Sequence, residues 1–302
     1  MRVGITGSHG FIGSNLYAEL VRRREELHMD VCERFDRTRH NLLSVISMKS
    51  FVEDKDIIFH LAGINRTDNN GDFLAINVLG TLNLLEAIIK YSTSNRIRFV
   101  FTSTLQVYGY TPFPKRLKES SPLRPTNIYG LSKKFAEEII YAYCKNYGIK
   151  GVVLRISNVY GPGCKPFYNS VVSTFVYQAL RENSITIRGS GNSSRDFIYV
   201  ADVIDALMRS ALYNGKTPDI FNVCTGIPIS VNELVRRLEA VMKRKIIIKH
   251  EMGEMDNHLI GDPSKAQQDL NFIARTPLEE GLIPTIDWLG QEVSQRNENR
   301  RS

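Results

Sequence analysis

The chain has 302 residues, of which 42% are hydrophobic and 24% are charged, with a formal net charge of +7. This composition describes an ordinary globular protein that is long enough for one large domain or two modest ones. Lys and Arg are spread along the chain without an aromatic-interleaved basic patch, so we expect no nucleic-acid partner, whereas the positive balance suits a phosphorylated small molecule.

No targeting or membrane segment is evident in the sequence. The first residues run directly into a strand-like segment without a signal-peptide pattern, and no apolar run approaches membrane-spanning length. These features predict a cytoplasmic protein with no membrane partner. The four cysteines are scattered without metal-ligand spacing, which predicts free thiols and no metal site.

Short apolar runs alternate with helical periods in the first half of the chain. The strand-like runs cover 2–5, 57–61, 98–101 and 151–156, and the helical ones cover 12–24, 73–90 and 129–147. Strands that are apolar on both faces and joined by helices predict an α/β fold with a parallel sheet covered on both sides. We expect residues 1–157 to form this domain, which also receives segments around 196–224.

Beyond residue 157 the pattern loosens into Gly- and Pro-rich connections with later helical patches such as 231–242. We therefore expect residues 158–302 to form mainly a smaller substrate-binding lobe. Residues 291–302 are polar and lack periodicity, which predicts a frayed tail.

A glycine-rich turn follows the first strand and opens the first helix. Its glycines are Gly7, Gly10 and Gly13, a spacing that departs from G-x-G-x-x-G in the first interval. Glycines here let the backbone approach a pyrophosphate at a helix N-terminus, which favours anions. This context predicts a Rossmann-type, doubly wound dinucleotide-binding domain.

The second strand suggests which dinucleotide is bound. Asp36 lies 23 residues after Gly13, close to the separation expected for an acid that grips the adenosine ribose. Arg37 and Arg39 follow it and offer partners for a 2′-phosphate. NAD and NADP therefore both stay open, and the alternative for Arg37 and Arg39 is that they are exposed loop charges.

Tyr129 and Lys133 stand one helical turn apart, at the point where a loop turns into an apolar helix. A cation beside a phenol favours the phenolate, so Tyr129 is a candidate acid/base near neutral pH. The alternative is a tyrosine packed on a lysine stem.

With these motifs the chain resembles the extended short-chain dehydrogenase/reductases, and more narrowly their NAD-dependent nucleotide-sugar epimerase/dehydratase branch. The resemblance runs nearly end to end. Its further motifs, in chain order, are His60-Leu61-Ala62-Gly63, Asn77-Val78-Leu79-Gly80-Thr81, Phe101 to Gly109, Arg155 to Gly163, Arg195 to Val200 and Asp262 to Ala266.

The resemblance implies a catalytic triad of Thr104, Tyr129 and Lys133. Thr104 takes the position that hydrogen-bonds the reacting oxygen, and its separation of 25 residues from Tyr129 fits UDP-sugar 4-epimerases. Lys133 is implied to hold the nicotinamide ribose and to lower the tyrosine pKa. The implied cofactor-binding residues are Gly7, His9, Gly10, Phe11, Ile12, Gly13, Asp36, Arg37, Asn41, Leu42, Leu61, Ala62, Gly63, Asn65, Asn77, Tyr129, Lys133 and Ile156. Asn77 has the alternative of a buried residue that satisfies loop backbone.

The resemblance also implies a nucleotide-diphosphate sugar as substrate, bound by Thr104, Asn158, Asn169, Arg188 and Arg195. Two departures matter here. Met252 stands where many 4-epimerases carry a second diphosphate arginine, and Arg188 replaces a usual aromatic, with an exposed loop arginine as its alternative.

The two residues after Thr104 distinguish the branches of this family. Dehydratases of this family carry Thr-Asp-Glu where this chain has Thr104-Leu105-Gln106. The fucose-synthase type has a cysteine at the position of Gln106. Leu105 and Gln106 exchange no protons, so both chemistries are disfavoured. The sequence therefore predicts a 4-epimerase that acts through a transient 4-keto sugar. The alternatives are an NADPH-dependent 4-keto-sugar reductase and a non-catalytic dinucleotide sensor. The family also implies a homodimer through the helices near 81–90 and 129–147.

Overall fold

The computed structural model describes residues 1–94, 97–168, 170–253 and 255–298. Its centre is a sheet of six parallel strands in the order β2-β1-β3-β4-β6-β11. The strands are β1 Arg2–Thr6, β2 Val31–Arg34, β3 Ile57–His60, β4 Arg98–Thr104, β5 Arg116–Leu117, β6 Lys150–Ile156, β7 Asn158–Tyr160, β8 Ser184–Arg188, β9 Ser194–Arg195, β10 Phe197–Tyr199, β11 Asp219–Val223, β12 Ile229–Ser230, β13 Ile247–Glu251 and β14 His258–Gly261.

Helices cover both faces of this sheet, because its strands are apolar on both sides. The helices are α1 Phe11–Arg22, α2 Lys49–Val52, α3 Asn70–Asp72, α4 Gly80–Tyr91, α5 Ile128–Tyr147, α6 Val171–Glu182, α7 Val200–Leu212, α8 Val231–Met242, α9 Ser264–Asp269 and α10 Leu278–Glu298. One apolar core lies under α1 and α7, and a second lies under α2, α4 and α5. The predicted doubly wound α/β fold is confirmed.

The chain order reverses beside β1, which has β2 on one side and β3 on the other. Ligands of doubly wound sheets bind outside the carboxyl ends of the strands at such a switch point. The ends of β1 and β3 carry Thr6 and His60, which are buried and joined by a hydrogen bond of 2.7 Å between Thr6 Oγ1 and His60 Nδ1. The hydrogen-bonded Thr6 and His60 side chains therefore form the buried base of the switch point.

A third apolar core belongs to the C-terminal lobe, where α6, α8 and α10 pack together with β8. Among the described residues, three short sheets accompany this core, in the orders β12-β9-β14-β5, β13-β8 and β10-β7, with β5 contributed by the first half of the chain. The segment 200–223 leaves the lobe, adds α7 to the face that carries α1, and adds β11 to the edge of the main sheet beside β6.

Two expectations are corrected. Asn70–Tyr91 is one continuous helical segment, with a π-helical stretch over Phe73–Leu79. By length and composition alone it could cross a membrane, which corrects the expectation that no apolar run approaches that length. In this fold, 44% of its most apolar 18-residue stretch is buried. The expectation of a frayed tail is corrected for residues 291–298, which are helical because α10 continues to Glu298, and residues 299–302 lie outside the described residues. The sequence of residues 291–298 is polar apart from Val293, which is why it shows no helical periodicity.

Candidate active site

A cavity of about 1730 Å³ lies at the carboxyl ends of β1, β3, β4 and β6. This volume exceeds that of a typical pocket for one drug-sized molecule, so it has room for a dinucleotide and a second ligand together. The predicted site residues that line it are Gly7, His9, Gly10, Phe11, Ile12, Gly13, Asp36, Arg37, Asn41, Leu42, Leu61, Ala62, Gly63, Asn65, Thr104, Tyr129, Lys133, Ile156 and Asn158. Three others, Asn77, Arg188 and Arg195, do not line it, and Asn169 lies outside the described residues.

The glycine turn is shaped as an anion site. Gly10 is the N-cap of α1 and provides no side-chain cap, so backbone N–H groups at this helix end are left for a ligand. A Cβ on Gly13 would lie 2.2 Å from the carbonyl oxygen of Gly7, and one on Gly7 would lie 2.6 Å from the backbone nitrogen of Ala62. Only glycine fits at both positions, and the turn suits a pyrophosphate.

Asp36 and Arg37 both line the end of the cavity beyond β2. The Asp36 carboxylate accepts hydrogen bonds from the backbone N–H and the hydroxyl of Thr38, at 2.9 and 2.8 Å, and these bonds lower its pKa. Arg34 was missed by the sequence analysis. Its guanidinium donates to the Ser8 carbonyl at 2.9 Å and lies 4.7 Å from the Tyr17 ring centroid, which ties β2 to the glycine turn.

The helix that carries the predicted catalytic pair begins where the sequence indicated. Asn127 is the N-cap of α5, and its side chain accepts from the Gly130 N–H at 2.7 Å and donates to Gln106 Oε1 at 2.8 Å. Tyr129 therefore lies in the first turn of α5, beside Thr104 at the end of β4. Burial raises the pKa of Tyr129 to about 12, while a hydrogen bond with the Thr104 side chain acts in the opposite direction.

Lys133 lies one turn further along α5 and is buried. Its Nζ donates to the Thr102 carbonyl at 2.9 Å and lies 4.5 Å from the Phe101 ring centroid. Burial lowers its pKa to about 8, and the charge of Glu137 opposes this effect. The expectation that Lys133 lowers the Tyr129 pKa stays a prediction; in this structure the Lys133 ammonium donates to the Thr102 carbonyl, and burial sets the direction of the Tyr129 shift.

We expect Lys133 to make the stability of the ligand-free protein depend on pH. Between about pH 8 and 10.5 the unfolded chain keeps the Lys133 proton that the folded chain has lost, so the free energy of unfolding rises with pH. The shift from 10.5 to about 8 corresponds to roughly 3 kcal/mol. Urea unfolding of the wild type and Lys133→Met across this range measures it, because the difference between the two proteins cancels other titrations. A difference that stays constant with pH would contradict the assignment.

A buried ion pair between Arg155 and Glu137 lies next to the catalytic triad. The Glu137 carboxylate, one turn after Lys133, accepts from Arg155 Nη2 at 2.7 Å and from the Ser103 hydroxyl. Arg155 Nη1 donates to the Tyr108 hydroxyl at 2.9 Å, and both charged side chains are buried. Because Ser103 precedes Thr104, this network fixes the end of β4 against α5.

Asn77 is buried under the site and does not line the cavity. Its Oδ1 accepts from the Ile64 N–H at 2.8 Å, and its Nδ2 donates to the Ile64 carbonyl at 2.9 Å and to the Ser132 hydroxyl at 3.0 Å. The predicted cofactor contact is corrected to the alternative reading, a residue that satisfies the backbone of the loop after β3.

The predicted diphosphate residues are spread apart. Arg188 is 83% exposed at the end of β8 and pairs with Glu251 at 3.5 Å, so it is corrected to a surface charge. Arg195 donates to Asn257 Oδ1 at 2.6 Å and lies 4.6 Å from the Tyr110 ring centroid, and a diphosphate contact for it stays a prediction. Asn158 lines the cavity while its Nδ2 donates to the Asp196 carbonyl at 3.2 Å.

Three further lining residues, Arg66, Lys165 and Tyr168, were missed because no sequence motif contains them. Arg66 lies on the loop after β3, and Lys165 and Tyr168 lie on the loop that follows β7. The described part of the chain contains no group of three or more His, Cys, Asp or Glu that could hold a metal ion.

Comparison with known proteins agrees with this geometry. Residues 3–224 match the NAD dependent epimerase/dehydratase family. A putative UDP-glucose 4-epimerase of Methanocaldococcus jannaschii is 31% identical, with 98% of this chain and 99% of that protein covered. Dehydratases and decarboxylases of nucleotide sugars match as well, at 28% to 30% identity.

Two solved structures are similar throughout. The UDP-glucose 4-epimerase of Thermotoga maritima, solved with UDP-glucose, has a TM-score of 0.86 at 26% identity, and the match covers 97% of this chain and 100% of that one. MoeE5, solved with UDP-glucuronic acid and NAD, has a TM-score of 0.83 at 29% identity, with the same coverage.

The fold and the site define an NAD-dependent enzyme of the extended short-chain dehydrogenase/reductase type. The chain belongs to the NAD dependent epimerase/dehydratase family. The residues at the switch point fit the cofactor, because the uncapped N-terminus of α1 and the close approach at Gly7 and Gly13 suit a pyrophosphate.

Proposed function

We propose that this protein is a UDP-sugar 4-epimerase that acts through a transient 4-keto sugar. The observation that carries the proposal is the meeting of Thr104, Tyr129 and Lys133 in one cavity with the glycine turn, while the positions after Thr104 offer no acid or base. Leu105 is buried, and the Gln106 amide is held by Asn127. The relatives whose names include UDP-glucose epimerase support the substrate class.

In this mechanism Tyr129 accepts the proton of the C4 hydroxyl and returns it to the C4 oxygen after the sugar has turned. The Thr104 hydroxyl hydrogen-bonds the same oxygen, and its bond with Tyr129 favours the phenolate. Bound NAD supplies the reversible hydride acceptor. The buried Lys133 ammonium adds positive charge beside the site, which stabilises anionic character on the reacting oxygens.

A 4-keto-sugar reductase is the second candidate. It is supported by Arg37, which lines the cavity beside Asp36 and offers a partner for the 2′-phosphate of NADPH. The same triad would then only donate a proton. A non-catalytic sensor is disfavoured, because it has no need for the joined Thr104 and Tyr129 hydroxyls.

Two measurements on the purified protein separate these candidates. Denaturation followed by identification of the released nucleotide is expected to yield NAD, because an epimerase retains its cofactor between turnovers. Incubation with UDP-glucose is then expected to yield UDP-galactose without added cofactor. A protein that releases no NAD, and that consumes NADPH with a 4-keto sugar, would contradict the epimerase and establish the reductase.

We also propose a homodimer through α4 and α5. Exposed apolar side chains lie on these helices and on the π-helical stretch before α4, among them Leu79, Ile89 and Phe135 at 44%, 38% and 42% exposure. A partner covering this face explains the apolar character of Asn70–Tyr91 without a membrane. Light scattering of the purified protein is expected to give twice the chain mass of 34.3 kDa, and Phe135→Glu is expected to reduce it to that of a monomer.

A further inference from the structure

The loop that follows β7 brings a second phenol into the active-site cavity. Tyr129 lines this cavity from α5, and Tyr168 lines it from the C-terminal lobe. The Tyr168 side chain is 45% exposed, and among the described residues its hydroxyl has no hydrogen-bond partner. A phenol hydroxyl can both donate and accept, so this group is available to a ligand.

The residue before Tyr168 has an unusual backbone conformation. Phe167 has φ of 61°, in the left-handed region that aromatic residues rarely adopt. Such conformations persist only where the surroundings enforce them, and they cluster at functional sites. The surroundings of Phe167 must therefore enforce this backbone conformation.

Three contacts hold Phe167 in place. Its N–H donates to Thr174 Oγ1 on α6 at 2.8 Å, and its ring makes an edge contact with Tyr177 at a centroid distance of 5.6 Å. Its carbonyl accepts a hydrogen bond from the Arg66 guanidinium, which comes from the loop after β3 in the other lobe. Arg66 thus bridges the two lobes across the cavity and fixes the backbone beside Tyr168.

The two phenols are close enough to influence each other. Besides burial and the Thr104 hydrogen bond, Tyr168 acts on the pKa of Tyr129 and raises it. A sugar whose C4 hydroxyl contacts Tyr129 therefore also lies near Tyr168.

We infer that Tyr168 is a sugar-binding residue of this enzyme, held in position by the Arg66 bridge to Phe167. Its hydroxyl forms a hydrogen bond with a hydroxyl of the sugar while Tyr129 exchanges the proton of the C4 hydroxyl. This inference rests on the proposed nucleotide-sugar substrate and adds a contact to the sugar itself, from the lobe opposite the catalytic helix.

Calorimetric binding to the NAD-loaded protein tests the inference, with UDP-glucose and UDP as the two ligands. Loss of one hydrogen bond is expected to weaken UDP-glucose binding to Tyr168→Phe by about tenfold and to leave UDP binding unchanged. Tyr147→Phe removes an exposed phenol hydroxyl at the end of α5 and is the matched control, expected to bind both ligands as the wild type does. Unchanged UDP-glucose affinity in Tyr168→Phe, or an equal loss for UDP, would overturn the inference.

Arg66→Met tests the bridge, since methionine keeps the stem of the side chain and removes the bond to Phe167. It is expected to weaken UDP-glucose binding in the same direction as Tyr168→Phe, and the double variant is expected to be little worse than either one. Additive losses would contradict the bridge. Because binding is measured apart from turnover, a wild type that binds UDP-glucose without epimerising it would contradict the proposed function alone.

Discussion

Replacement of Tyr129 by Phe is expected to lower turnover of UDP-glucose by about 10³-fold, the scale of one lost acid/base group. The ring of the variant keeps its position in the first turn of α5, and only the hydroxyl that bonds Thr104 is lost. Retained NAD should be unchanged, because the glycine turn that suits the pyrophosphate lies on a different helix. The measurement is a comparison of initial rates at saturating substrate together with the NAD content of both proteins.

Tyr147→Phe provides the control for that comparison, and wild-type rates are expected from it. Turnover by Tyr129→Phe within a few fold of the wild type would remove Tyr129 from the mechanism. Loss of bound NAD together with turnover would assign Tyr129 to cofactor binding instead of proton transfer.

Replacement of Arg155 by Met is expected to destabilise the protein by about 3 to 5 kcal/mol. The reason is that Glu137 would remain buried without its ion-pair partner, and breaking one partner of a buried pair costs far more than removing both. The double variant Glu137→Leu with Arg155→Met should therefore be closer to wild type than the single one. Urea unfolding of the three proteins measures both differences.

A single variant as stable as the wild type would show that water reaches Glu137. Lys245→Met is a suitable comparison, because Lys245 is 92% exposed and pairs with Glu239 at 3.2 Å. Exposed pairs of this kind contribute about 0 to 1 kcal/mol, so little change is expected there.

Local patterns predicted the part of the site that depends on short stretches of chain. The glycine turn and α5 are set by neighbouring residues, so Gly13, Tyr129 and Lys133 lie in the cavity as expected. The sheet followed from its alternating apolar runs. The family assignment, which was made from motifs in register, is confirmed by the match over residues 3–224.

The remaining features depend on contacts between distant segments. Arg66 meets the Phe167 carbonyl about a hundred residues later, and no spacing rule predicts such a contact. Asn77 occupied a cofactor position in the family pattern, but it lies in the π-helical stretch and its side chain bonds the backbone of Ile64. Arg188 lies at a strand end that faces solvent, which a motif position alone does not reveal.

The pKa of Tyr129 depends on more than the spacing of Tyr129 and Lys133 along α5. One helical turn places Lys133 on the same face of α5, yet its ammonium donates to the Thr102 carbonyl, and burial of the phenol dominates. Side-chain direction and desolvation follow from the packing of β4 against α5, which the spacing of two residues does not contain.

The proposed epimerase oxidises and reduces one sugar carbon within a single site. The most direct test of this mechanism is incubation of the NAD-loaded protein with UDP-glucose deuterated at C4, followed by NMR of the product. We expect UDP-galactose that retains deuterium at C4, with no net change in the redox state of the cofactor. Absence of UDP-galactose, or UDP-galactose that has lost the C4 deuterium, would contradict this mechanism.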